Sequence, residues 1–235
     1  MITKEQFNSL KDKYGDYSSF AIWESVQDIG NIAMFDRDGI HKKLNNKYVF
    51  VALNPAERPA DEKPMKFKNF HSDYPYQKDY KLCYALKETA FWGSYITDLF
   101  KSFPLTDSTL LKAELNRRPN DVEKDIESLK EEIRILAGDE DKERGVLLIA
   151  VGRATDRYLR KLFKGEDRKI VYIPHYSYWG HGCSIREGYK DRVVGTLLRQ
   201  GIDPWSGAEV PIPGEAEVEF ANGLRELINE LIDMG

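Results

Sequence analysis

The sequence predicts a three-layer α/β/α domain built on a mainly parallel central sheet. Three observations carry that expectation. The runs Tyr48-Val-Phe-Val-Ala-Leu53, Gly145-Val-Leu-Leu-Ile-Ala-Val151 and Lys169-Ile-Val-Tyr-Ile173 are strand-length and largely apolar, without polar alternation, as strands buried on both faces are. Amphipathic helical patterns separate them, the order expected of βαβ units. Each run stops on a turn or a helix start: Asn54-Pro55, Gly152-Arg153 and Pro174-His175.

In chain order, Thr3 to Tyr14 reads as an amphipathic helix with Phe7 and Leu10 on one side. Ser18 to Gln27 reads as a second, since Phe20, Trp23 and Val26 fall at helical spacing. Asp36-Arg-Asp-Gly39 is a turn, and His41, Lys42, Lys43 and Lys47 make a basic approach to the first strong strand. From Glu57 to Tyr80 the chain carries Pro59, Pro64 and Pro75, with Phe67, Phe70, Tyr74, Tyr76 and Tyr80 among Lys63, Lys66 and Lys68. A loop this long inside a domain is usually functional or disordered, and its aromatic content argues against disorder. Lys78 to Ala90 reads as a helix and Gly93 to Phe100 as a strand or strand end. Asp121 to Leu136 is a helix, with Val122, Ile126, Leu129, Ile133 and Leu136 in one stripe and acidic residues at its amino end. A helix runs from Gly152 to about Phe163, and Ser184–Gln200 and Glu215–Met234 read as two more. The expected organisation is a single domain with its core at about 47–200, N-terminal helices within 1–30, and a C-terminal helix over 215–235.

No apolar run approaches the ~20 residues a membrane span needs, and Met1-Ile-Thr-Lys-Glu lacks the order of a signal peptide. With only Cys83 and Cys183 there is no disulfide framework, so a reduced, cytoplasmic setting is expected. A net charge of −4 counts against a large nucleic-acid footprint, although a local basic face can coexist with an acidic total. His175, His181 and Cys183 have no second ligand cluster near them in sequence, and neither metal nor cofactor is expected. Gly152-Arg-Ala-Thr155 looks like a phosphate-facing turn but lacks both common nucleotide motifs.

Parallel strands put their carboxyl ends on one edge, where ligands bind in open α/β sheets. Asn54, Thr97-Asp98 and Pro174-His175-Tyr-Ser177 would meet there. An amide, a carboxylate and an imidazole at one mouth make a plausible hydrolytic pocket. Asp98 reads either as a turn cap or as part of the pocket floor.

The order Val-Ala-Leu-Asn54-Pro-Ala56, Ser94-Tyr-Ile-Thr-Asp98-Leu-Phe-Lys101, Leu147-Leu-Ile-Ala-Val-Gly152 and Ile173-Pro-His175-Tyr-Ser177 resembles the uracil-DNA glycosylase superfamily, over roughly Tyr48 to Ser177. The first block is similar to motif A in its Asn-Pro form, found in the mismatch-specific and single-strand-selective branches, and the last to motif B. The resemblance implies DNA as partner, a flipped base as substrate and hydrolysis of the N-glycosidic bond. By position it implies Asn54 as the residue that orients water and His175 as the group that stabilises the departing base. It implies Ser177 against the DNA backbone and Phe67 or Phe70 stacked on the base; Asp98, from its place at the strand end, is expected as a further substrate-binding residue. Tyr178, Trp179 or the loop holding His181 would fill the vacated stack. The chain departs from the pattern at Ala52 and Ala56, where glycine is usual, and at Tyr176, where proline follows the histidine. Two other readings stand beside this one: a catalytically silent module that binds a nucleobase, nucleotide or partner, and a hydrolase of free nucleosides or nucleotides.

Overall fold

A strand with no polar side is stable only between two covering layers, and the fold supplies both. The computed structural model describes residues 1–25, 27–56, 65–72, 78–177 and 186–212. Its elements are helix α1 (Lys4–Tyr14), strands β1 (Ser18–Phe20) and β2 (Tyr48–Ala52), helix α2 (Asp79–Leu86), strand β3 (Tyr95–Asp98), helices α3 (Ser108–Arg117), α4 (Pro119–Ala137) and α5 (Glu140–Arg144), strand β4 (Leu147–Val151), helix α6 (Arg153–Leu162), strand β5 (Ile170–Ile173) and helix α7 (Arg186–Leu198). The sheet order is β1-β3-β2-β4-β5, and every pairing is parallel except that of β1 with β3.

The side-chain period of two divides β2 between two cores. Tyr48, Phe50 and Ala52 enter one with Leu82, Leu86, Ile149, Val193 and Leu197, beneath α2 and α7. Val49 and Val51 enter the other with Leu129, Ile133, Leu148 and Leu159, beneath α4 and α6. The architecture is therefore α/β/α, as the sequence predicts.

Two local expectations are corrected. The helix expected over Ser18–Gln27 is absent: Ser18, Ser19 and Phe20 pair antiparallel with Thr97, Ile96 and Tyr95, and no helix follows through Ser25. All three strand residues are buried, so no alternation marks them as a strand, and the open edge of β3 overrides the helical spacing of Phe20 and Trp23. The helix expected to reach Ala90 stops at Leu86, with Glu88 in left-handed backbone at φ 66°. The expected helix over 215–235 lies outside the described residues.

Polar side chains fasten the layers. Gln6 closes a capping box with Thr3 at the start of α1. Its Nε2 donates to the carbonyls of Ile135 and Leu136 at the end of α4. The turn after β3 is held harder. Lys101 Nζ lies 2.7 Å from Glu132 of α4, with both side chains buried, and donates to the Asp98 carbonyl at 2.6 Å. Tyr95 OH donates to the other Glu132 oxygen at 2.9 Å. Lys101→Met strands a buried carboxylate and is expected to cost about 3–5 kcal/mol in urea unfolding. Lys101→Met with Glu132→Gln, which keeps an acceptor for Tyr95, is expected to recover most of that loss; a cost for the single variant no larger than the ~1 kcal/mol of a surface pair contradicts the assignment.

Candidate functional site

The carboxyl ends of β2, β3, β4 and β5 share one edge, and on it stand Asn54, Asp98, Gly152 and His175. The edge has two halves.

On one half, Asn54 leaves β2 still tied to the continuation of β3, through Leu99 N to Ala52 O and Phe100 N to Leu53 O, both 2.9 Å. Its Nδ2 donates to the carbonyls of Phe103 and Leu105 at 2.9 and 2.7 Å, and to Pro55 O at 3.1 Å. This amide is pinned toward the loop after β3, which fixes Oδ1 as its remaining acceptor. Ala52 is buried in the core and Ala56 is exposed.

On the other half stands His175, two residues past β5. Tyr189 OH of α7 donates to Pro174 O at 2.8 Å and fixes the turn. The Ser177 backbone N–H donates to His175 Nδ1 at 3.1 Å, and Ser177 Oγ lies 2.8 Å from the same atom. A ring nitrogen that accepts an amide hydrogen carries no proton, so the neutral imidazole bears its hydrogen on Nε2. Burial pushes the His175 pKa down to about 4. Beside the ring, Gly152 opens α6 at φ 92°, and a Cβ built there would lie 3.4 Å from His175 Cβ. No side chain caps that helix start, so its amides face the edge with the positive end of the dipole.

Below His175 lies a buried acidic cluster. Tyr176 stacks on the imidazole, ring centroids 4.7 Å apart and 21° between planes. The Tyr176 hydroxyl bonds to Asp79, the first residue of α2. Asp79 Oδ2 also accepts the Ser72 N–H at 2.8 Å, and burial pushes its pKa up to about 7. Asp98 accepts from Asn69 Nδ2 at 2.8 Å and lies near enough to Tyr176 to raise its pKa, a push to which burial contributes most.

The structure thus brings together His175, Ser177 and Gly152, with Tyr176, Asp79 and Asp98 beneath them. Asn54 is held on the β3 side by its own bonds. Ser177 is exposed and spends its N–H on His175. Phe67 is fully buried among Phe7, Phe20 and Phe35, with centroids 5.2–5.5 Å away, so its ring faces the core and not a ligand. Phe70 is also buried, in the opposite core with Leu82 and Tyr176. Both hold left-handed backbone, at φ 63° and 64°. Tyr178, Trp179, His181 and Cys183 lie outside the described residues, as do Lys63, Tyr74 and Tyr76. Asp79 and Asn69 were missed in sequence: an acid at a helix start reads as an ordinary first-turn residue. A scan against protein-family models and a search of curated proteins find no match to this chain.

These groups set opposite pH dependences. Burial also pushes fully buried His71 down to about 3. As pH falls below the ordinary 6.5, the unfolded chain takes up protons that His175 and His71 refuse in the fold, so stability drops from about 6.5 toward 4. Asp79 works the other way. The fold keeps a proton the unfolded chain releases near 3.8, so its contribution is lost as pH rises from there through about 7. His175→Asn is expected to reduce the acid-side slope of unfolding free energy against pH by close to one proton, in a series of urea titrations. An unchanged slope would show that His175 is not held neutral.

Proposed function

We propose that this protein is a uracil-DNA glycosylase-like hydrolase that cleaves the N-glycosidic bond of a damaged or unusual base in DNA. One observation carries the reading: His175 is a neutral hydrogen-bond donor set beside an uncapped helix start. That arrangement suits a leaving group that departs as an anion. When the glycosidic bond breaks, its electron pair stays with the base and cation character develops at the sugar C1′. A preorganised Nε2–H and the α6 dipole stabilise the charge on the base where it forms. A neutral imidazole suits this better than an imidazolium, which would give up its proton and need another.

Asn54 supplies orientation. With Nδ2 held by the Phe103 and Leu105 carbonyls, Oδ1 accepts a hydrogen bond from water and aims its lone pair at C1′. A carboxamide is too weak a base to take the proton at neutral pH. The water proton is released once the C–O bond has formed, and the base anion is protonated after it leaves. Chemistry that relies on bond breaking first needs no stronger base.

A second reading has its own support. Tyr176 and the acids under it fill the floor below His175, the packing expected of a module that holds a base without cleaving it. One assay separates the two. Purified protein is incubated with single- and double-stranded oligonucleotides carrying uracil and other deaminated or oxidised bases, and abasic sites are read by alkaline cleavage. Excision is expected, with His175→Ala and Asn54→Ala each slowing it about 10²–10³-fold. Tight binding of an oligonucleotide with no base released from any of them would favour the silent module.

A further inference from the structure

Tyr176 occupies the place where the motif the chain resembles has proline, and the structure gives it bonds of its own. Its ring lies against His175 on one side. Its hydroxyl bonds to Asp79, which comes from α2, nearly one hundred residues earlier in the chain and on a different element. Asp79 is in turn fixed by the Ser72 N–H. Tyr176 and Asp79 are both buried, and among the described residues Asp79 has no cation within salt-bridge distance. A buried carboxyl without a cation is expensive to keep, and the apolar cover of α2 comes from Leu82, Ala85 and Leu86. The chain of contacts runs Ser72, Asp79, Tyr176, His175.

We propose that Asp79 is a positioning residue of the His175 site, acting through Tyr176. The carboxyl fixes the phenol, and the phenol fixes the plane of the imidazole. Nδ1 is held by Ser177, but that bond alone leaves the ring free to tilt about the Nδ1 contact, and the stack removes this freedom. The proposal rests on the reading that His175 acts on a substrate, and its test does not require that activity. The charged or titratable groups around Asp79 are Tyr176, to which it bonds, and Lys68, while Asp98 and Tyr189 face Tyr176. Protonation of Asp79 near pH 7 therefore passes to His175 through the phenol.

The experiment is a histidine side-chain NMR titration of the full chain, for wild type, Tyr176→Phe, Asp79→Asn and the double variant. Tyr176→Phe keeps the ring and deletes the hydroxyl; Asp79→Asn keeps the shape and deletes the titration. The wild type is expected to show the His175 Nε2–H tautomer and an inflection in the His175 shifts near pH 7, besides the one near 4. Both single variants are expected to lose the inflection near 7, Asp79→Asn because the titrating group is gone and Tyr176→Phe because the hydroxyl that reaches it is gone, and the double variant is expected to match Tyr176→Phe. Where base excision is measurable, kcat is expected to fall about tenfold or more in Tyr176→Phe and in the double variant with KM nearly unchanged, as for loss of orientation. His175 shifts that are the same in wild type and in folded Tyr176→Phe and Asp79→Asn overturn the proposal, whether or not the protein excises a base. Absence of excision with the shifts altered as expected removes the glycosylase reading and leaves the positioning role standing.

Discussion

The burial of β2 on both faces is the constraint from which the rest of the structure follows. Its five residues carry no polar side chain other than the Tyr48 hydroxyl, and its neighbours β3 and β4 cover both of its edges. Such a strand can hold no functional group along its length. Chemistry is displaced to its carboxyl end, and parallel pairing carries the ends of β3, β4 and β5 to the same edge. The chain leaves β2 toward β3 and leaves β4 toward β5, so the edge splits at the β2–β4 boundary. Asn54 falls on one side of that split and His175 on the other. Strands β2 and β5 themselves lie two strand spacings, about 10 Å, apart, with β4 between them.

The fold was legible because its signals are local. Apolar runs of strand length and the stripe of Leu129, Ile133 and Leu136 depend only on residues close in sequence. What failed depended on tertiary partners. Ser18-Ser-Phe20 becomes a strand because β3 has an unpaired edge, which no window of eleven residues contains. The resemblance implies that Phe67 or Phe70, in the segment after Asn54-Pro55, stacks on a base. Instead Phe67 N is bonded to Gly15 O and Phe67 O accepts from Ser19 Oγ, and the two rings complete the two cores. At the site, the strand ends were legible and their orientation was not. Whether Asn54 faces His175 is decided by the carbonyls of Phe103 and Leu105, some fifty residues away.

Buried charge is distributed in two different ways. On the α4 face, Glu132 has a cation in Lys101 and a hydroxyl donor in Tyr95, so the carboxylate is matched. On the α2 face, Asp79 has an amide and a phenol, and its pKa climbs to about 7. The first arrangement ties α4 to the turn after β3 and suits a fastening. The second sits near neutral pH and changes its proton count within the ordinary range. Asp125 of α4 is another buried acid whose pKa burial raises, and it accepts from the Ser102 N–H and hydroxyl. What sets Asp79 apart is its partner, since Tyr176 stacks on His175 at the sheet edge.

Proline after a catalytic histidine restricts the backbone: it fixes its own φ and excludes helical geometry from the residue before it. His175 is followed by Tyr176, which imposes no such restriction, and it is oriented by contacts. The structure supplies three: the Ser177 N–H on Nδ1, the Tyr189 hydroxyl on Pro174 O, and the stacked phenol anchored to Asp79. Two of these contacts draw side chains from α2 and α7 to the turn that holds His175. A proline ring is indifferent to pH, whereas a phenol bonded to a carboxyl that titrates near 7 is not. The geometry at His175 thereby becomes linked to protonation of a residue that does not touch it. It is also linked to the docking of α2, since displacing Asp79 would release the phenol and with it the imidazole. Tyr176 therefore joins the His175 turn to the rest of the fold.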